Sequence, residues 1–149
     1  MAFRGTHTAK IDDKGRLKVP AKFKHQLDEE YPENKYYITS LDGKSAMIYP
    51  ISEWERVEEG VKQLDPNLEA RKRWFRITSY YGQEVEIDGQ GRLLLPSRLR
   101  IKANLQDDVD VVGLPECMEV KNSEALAQQI EDEPFTADDA KAICRPSSS

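Results

Sequence analysis

Thirteen residues, Ile11-Asp12-Asp13-Lys14-Gly15-Arg16-Leu17-Lys18-Val19-Pro20-Ala21-Lys22-Phe23, return 76 positions later as Ile87-Asp88-Gly89-Gln90-Gly91-Arg92-Leu93-Leu94-Leu95-Pro96-Ser97-Arg98-Leu99. Isoleucine, aspartate, glycine, arginine, leucine and proline coincide at six of the thirteen positions, and Val19/Leu95, Lys22/Arg98 and Phe23/Leu99 keep their chemical type. The chain carries one unit twice. The likeness continues downstream in a shifted register, with Leu41 over Leu114 and Met47 over Met118, as a short insertion in a turn would produce. Each copy is roughly fifty residues long, too short to bury much surface alone, so the two are expected to pack against each other.

Within each copy the periodicity is that of strands. Ala9, Ile11, Leu17 and Val19 alternate with Lys10, Asp12, Arg16 and Lys18, the two-residue period of a strand with one buried face. Asp12-Asp13-Lys14-Gly15 between them supplies turn chemistry, since glycine can take positive φ and aspartate can accept nearby backbone N–H groups. Pro20 removes a ladder donor and suits the first position of a helix, so a strand is predicted to end at Val19 and a short helix to begin near Ala21. Pro96 punctuates the second copy in the same way. Tyr36-Tyr37-Ile38-Thr39 and Ala46-Met47-Ile48-Tyr49 then flank Asp42-Gly43 as a hairpin. Their counterparts, Val109-Asp110-Val111-Val112 and Met118-Glu119-Val120, flank Pro115-Glu116. The unit reads β-β-α-β-β.

Between the copies, Ser52-Glu53-Trp54-Glu55 has the form of a capping box, and Trp54, Val57, Val61 and Leu64 follow at helical spacing. Asp65-Pro66 is predicted to open a second helix running toward Tyr80, with aspartate as its cap. One more helix is expected from Ser123 to Ile130. The chain thus divides into a first repeat at 3–51, bridging helices at 52–81, a second repeat at 82–130 and a solvated acidic and serine-rich tail at 131–149.

With 149 residues there is room for one domain, or for two halves that share a core, and a large multidomain enzyme is excluded. Cys117 and Cys144 lie 27 residues apart with no CxxC pair, which fits a reducing compartment better than a disulfide scaffold or a zinc site. His7 and His25, 18 apart, read as surface histidines, so neither a metal nor a cofactor is expected. No stretch approaches the roughly 20 apolar residues of a membrane span, and Met1-Ala2-Phe3-Arg4-Gly5 lacks the apolar region of a signal peptide. A soluble, cytoplasmic protein that avoids membranes is expected. Its net charge of −5 conceals a division, with seven bases against two acids from Met1 to Lys24 and eleven acids against three bases from Ala103 onward. One part could meet a polyanion that the other would repel.

The motif Asp-x-x-Gly-Arg-aliphatic-x-aliphatic-Pro runs from Asp12 to Pro20 and again from Asp88 to Pro96. Asp12, Gly15, Pro20, Asp88, Gly91 and Pro96 read as scaffold. The bland account of the two arginines is a surface ion pair with the turn aspartate, worth about 0–1 kcal/mol. A functional account uses the same geometry, because the turn holds a guanidinium fork on a rigid strand end, suited to bidentate phosphate or guanine contacts. Arg16 and Arg92 are therefore expected to face a ligand. The basic run Arg71-Lys72-Arg73 with Arg76 reads instead as a solvated helix face or an ion-pair row opposite Glu55, Glu58 and Glu59.

Both copies resemble the core of the SpoVT/AbrB superfamily. The tandem arrangement, Phe3-Arg4-Gly5, and Arg71-Lys72-Arg73-Trp74-Phe75-Arg76 ahead of the second motif resemble, over residues 3 to 130, its MraZ family of bacterial transcriptional regulators. The resemblance implies an α+β, mainly β fold, in which tandem repeats form an intramolecular swapped-hairpin β-barrel with peripheral helices. It further implies a homo-oligomeric ring on the nucleoid. That ring would bind short repeated boxes of double-stranded DNA upstream of the division and cell-wall gene cluster, the protein's own gene included. Carried over by position, Arg16 and Arg92 are the motif arginines at the DNA, with Lys14 and Gln90 at equivalent turn positions beside them. Lys24 departs from the pattern, standing where the motif usually ends in arginine, as Arg100 does.

Two other readings compete. An AbrB-like antitoxin would carry one motif copy and a long disordered C-terminal segment, whereas two copies fill this chain. An enzyme would need a nucleophile–base pair or a metal cluster, and the chain has no Gly-x-Ser-x-Gly, His-Glu-x-x-His or Walker sequence. Neither catalysis nor a small-molecule substrate is expected.

Overall fold

The computed structural model describes residues 2–144. Strands β1 (Thr6–Ile11) and β2 (Arg16–Lys18) are joined by the turn at 12–15. Gly15 takes φ 85° there, and Gly91 takes 76° in the second copy. That left-handed conformation costs glycine nothing and strains other residues, which is why both motif copies need it. Each turn is closed by the same backbone bonds, Gly15 N–H to Asp12 O and Asp12 N–H to Arg16 O, then Gly91 N–H to Asp88 O and Asp88 N–H to Arg92 O, all at 3.0 Å. The first repeat continues with α1 (Ala21–Glu30), β3 (Lys35–Thr39) and β4 (Ala46–Pro50). Helices α2 (Ile51–Lys62) and α3 (Glu69–Tyr80) lead into β5 (Gln83–Glu86), β6 (Arg92–Leu94), α4 (Ser97–Lys102), β7 (Asp107–Leu114) and β8 (Cys117–Asn122). Helices α5 (Ser123–Asp132) and α6 (Ala137–Cys144) follow.

The described strands form one antiparallel sheet in the order β5-β3-β4-β8-β7-β1-β2-β6. The first strand of each repeat pairs with the third strand of the other. Thus β1 runs along β7 from Thr6↔Val112 to Ile11↔Asp107, and β5 along β3 from Lys35↔Glu86 to Ile38↔Gln83. The outermost strands β5 and β6 meet at the 88–91 turn, so the sheet nearly closes into a barrel. Around that barrel the β4·β8 pair lies across from the β2·β6 pair. The expected swapped-hairpin barrel of tandem repeats is what the chain forms.

Alternation sends Leu17, Leu93, Ile38, Ile48, Val109, Val111, Met118 and Val120 inward, and Leu27 of α1 and Leu99 of α4 plug the same space, all fully buried in one cluster. A repeat of about fifty residues could not enclose that cluster alone. The bridging helices dock through Trp54, which stacks on Tyr37 at 4.7 Å and on Trp74 at 5.2 Å. Arg71 lies over the Phe75 ring at 5.0 Å and Lys72 pairs with Glu69 at 3.5 Å, so these bases are engaged within α3.

Several local expectations shift. Pro50 stands just outside α2, as Pro20 and Pro96 stand outside α1 and α4, so the capping box is not used and Ser52 is already helical. Asp65 does not open a helix. Its carboxylate accepts the Asn67 N–H at 2.9 Å in a local turn, and α3 begins at Glu69 after Leu68. The hairpin of β3 and β4 has a six-residue loop, Ser40 to Ser45, because the Asp42 and Ser40 side chains bond the backbone of Lys44 and Gly43. Helix α5 begins at Ser123 as expected, with Asn122 as its cap accepting from Ala125 N–H at 3.1 Å. Part of the segment read as tail is the exposed helix α6, and the Arg145-to-Ser149 end lies outside the described residues.

Leu17→Ala or Leu93→Ala should each lower stability by about 2–5 kcal/mol, the usual cost of emptying a fully buried leucine site. Chemical denaturation should show one transition in both variants; two separable transitions would contradict a core shared between the repeats.

Candidate nucleic-acid interface

The short strands β2 and β6 pair across the two repeats, with Arg16 opposite Leu94, Leu17 opposite Leu93 and Lys18 opposite Arg92. Since Leu17 and Leu93 are fully buried, alternation turns Arg16, Lys18, Arg92 and Leu94 to the outside. The ladder continues past the strand ends, where Val19 N–H donates to Gly91 O and Leu95 N–H to Gly15 O, each at 3.0 Å. An approximate twofold axis therefore passes between Leu17 and Leu93. Each end of this ribbon joins one repeat's turn to the other repeat's strand. Lys14, Arg16 and Leu94 share one end; Gln90, Arg92 and Lys18 share the other.

Both arginines are held by the same device. Arg16 Nε donates to Asp12 Oδ2 at 2.8 Å and Arg92 Nε to Asp88 Oδ2 at 2.9 Å. The other carboxylate oxygen of Asp12 accepts the N–H groups of Lys14 at 3.0 Å and Arg16 at 2.9 Å. That of Asp88 accepts those of Gln90 and Arg92, both at 2.9 Å. One carboxylate thus closes the turn and aims the guanidinium. The arginine backbone N–H is the largest influence holding each aspartate below its usual pKa, with help from the guanidinium and the second turn N–H. The Arg16 and Arg92 side chains remain 29% and 26% exposed. Only Nε is used within the described residues, which leaves the two Nη groups of each fork for a ligand.

The helices following each strand brace the opposite turn. A Cβ on Gly15 would come within 2.6 Å of Arg100 Nε, so this glycine also makes room for the second repeat's arginine. Lys24, the counterpart of Arg100, lies farther from Gly91, with its Cε 3.6 Å from where a Cβ would stand, and its ammonium pairs with Asp28 at 2.6 Å. The departure at Lys24 therefore replaces a flat, close-packed guanidinium with a looser cover.

Lys14 and Gln90 are exposed at the turn tips, at opposite ends of the ribbon. The Gln90 carbonyl accepts from Lys18 Nζ across the ribbon. Lys18 and Leu94 are the outward residues that the sequence reading passed over. Counting two residues on from each motif arginine would have found them. His7 packs edge-on against Phe23 at 5.1 Å and His25 pairs with Glu29 at 3.3 Å. Burial pushes the Cys117 thiol up to about 11, so it is not a ready thiolate nucleophile near neutrality. A concavity of about 530 Å³ beside Lys44, Lys102, Lys121 and Gln129 shares no residue with the ribbon.

Because the folded-state pKa values of Asp12 and Asp88 are depressed, the latch contributes fully above about pH 3.8 and is lost only as pH falls through the lowered values. Carbon-detected titration should place both carboxyls below 3.8, and Asp12→Ala should move the Asp12 turn resonances without unfolding the chain. A normal titration for both aspartates would contradict the latch.

Comparison with known proteins agrees with this architecture. A family model described as "MraZ protein, putative antitoxin-like" matches residues 2–75 and 82–145, one match for each motif copy. A protein of Acidobacterium capsulatum named "Transcriptional regulator MraZ" is 49% identical over 142 residues, 95% of this chain and 96% of the relative. One of the same name from Koribacter versatilis is 44% identical over 141 residues, again 95% and 96% of the two chains. A third, from Shewanella oneidensis, is 33% identical over 130 residues, covering 87% of this chain and 86% of the relative. With both halves matched and relatives aligned almost end to end, the chain belongs to the MraZ family.

Proposed function

We propose that this chain is a transcriptional regulator that binds double-stranded DNA by laying the outer face of the β2·β6 ribbon into the major groove. The observation that carries the reading is the pair of twofold-related guanidinium forks, each aimed by a buttressed aspartate and each unspent at Nη. The B-DNA major groove, about 12 Å wide, admits a two-stranded ribbon, and an arginine fork matches the O6 and N7 acceptors of guanine. Arg16 and Arg92 read base edges, Gln90 can bond a base edge, and Lys14 neutralises phosphate.

Charge is unevenly distributed despite the net charge of −5, with bases on the ribbon and on α3 and the acids concentrated on α2 and α5. Helix α2, with Glu53, Glu55, Glu58 and Glu59, packs on β3 and β4, and α5, with Glu124, Glu131 and Asp132, packs on β7 and β8. These helices flank the wall across the barrel from the ribbon. The relatives' name, transcriptional regulator, points the same way. The family resemblance brings the finer proposal that a ring of copies occupies repeated boxes upstream of the division and cell-wall genes, its own gene included, on the nucleoid. One ribbon is a small contact, and several ribbons on one assembly would bind repeated boxes through effective concentration. No helix among the described residues is long and apolar enough to cross a membrane. In this role the protein performs no catalysis and needs no cofactor.

Binding to the DNA upstream of the chain's own gene, measured by anisotropy at two salt concentrations, tests the proposal. Arg16→Ala or Arg92→Ala should each cost about 1–3 kcal/mol on the specific site, whereas Lys14→Ala should weaken all sequences evenly and lower the salt slope by about 1. Operator binding unchanged in both arginine variants would refute the assignment. Light scattering should show a closed assembly, and a duplex with two boxes should bind at least about 100-fold more tightly than one with a single box; equal affinities would remove the ring from the account.

A further inference from the structure

Among the strand residues of the ribbon the twofold match fails at one outward position, and at the turn tips Lys14 stands against Gln90. Arg16 maps onto Arg92 and Leu17 onto Leu93, but Lys18 maps onto Leu94. Leu94 is 48% exposed and stands directly opposite Arg16. Lys18 donates its ammonium to the Gln90 carbonyl at its own end of the ribbon, a bond that Leu94 cannot make to the Lys14 carbonyl at the other end. Exposed leucines are ordinary on protein surfaces. This one, however, lies directly across from a buttressed arginine on a ribbon whose other outward strand residues, Arg16, Lys18 and Arg92, are all bases, and the inward core of β6 is already supplied by Leu93.

Resting on the DNA-binding reading above, we infer that Leu94 is a specificity-determining residue that contacts a thymine methyl beside the base read by Arg16, making the preferred duplex asymmetric about the ribbon axis. The chemistry follows from the groove. Thymine C5-methyl is the apolar group that the major groove presents, whereas the other edges there offer hydrogen-bond donors and acceptors that a leucine would desolvate without repayment. At the other end Lys18 occupies the matching position, where an ammonium favours acceptors or phosphate. The two half-sites therefore differ although the two arginines are alike.

Selection from a random-sequence duplex library with the full chain tests the inference. The enriched sequence should be non-palindromic, with a thymine in one half only. Replacing that thymine by deoxyuridine, which removes only the methyl, should weaken wild-type binding about three- to fivefold, as expected of one buried methyl group. The same replacement should leave Leu94→Ala unaffected, and Leu94→Lys should select a more symmetric sequence without the thymine. A palindromic wild-type site, or an equal deoxyuridine effect in wild type and Leu94→Ala, would overturn the inference while leaving DNA binding intact. Failure of the wild-type chain to enrich any sequence, or enrichment that Arg16→Ala leaves unchanged, would instead overturn the reading beneath it. Leu94 is exposed and its β6 backbone bonds do not involve the side chain, so both variants are expected to keep the wild-type denaturation midpoint.

Discussion

The pairing of β2 with β6 is the constraint on which the molecule turns. These strands come from different repeats, yet Leu17 and Leu93 meet at the approximate twofold axis as fully buried members of one core. Because strand alternation couples the two faces, burying those leucines obliges Arg16, Lys18, Arg92 and Leu94 to face outward. The pair that closes the hydrophobic interior thus also composes the proposed contact surface. A one-residue slip would bury the arginines and expose the leucines, so the register is enforced by a large hydrophobic penalty and not by the surface ion pairs.

The aspartates do a different job. Asp12 and Asp88 are part-exposed, and pairs of that kind add little to stability in water. Their effect is on order. With one oxygen on two turn N–H groups and the other on Nε, each fixes a long side chain that would otherwise sample many rotamers, so less entropy remains to be lost when the guanidinium engages a ligand. Partial neutralisation of the arginine accompanies that gain. An acidic chain in this way offers a preorganised cationic ridge in which two guanidinium forks are already aimed.

The duplicated motif and its strand period were legible because turn chemistry and two-residue alternation are local. The exchange of first strands between repeats was implied by family resemblance alone, since which strand β1 joins is a long-range choice that its own residues do not encode. Helix boundaries were read less well. Ser52 and Asp65 carry capping chemistry, but Pro50 sets the boundary two residues earlier and Asp65 spends its carboxylate on a local Asx turn. The site residues Arg16 and Arg92 stood out because they recur. Lys18 and Leu94 did not, because they differ between the copies; strand period marks them as outward, and register alone shows that each lies across from the opposite arginine.

Arginine-selective ¹⁵N labelling offers the most direct test that the ribbon is the contact surface. On titration with duplex DNA, the Nε–H resonances of Arg16 and Arg92 should shift most, while those of Arg71, Arg73 and Arg76 on α3 stay in place. Shifts confined to the α3 arginines, with the two ribbon resonances unmoved, would contradict the account.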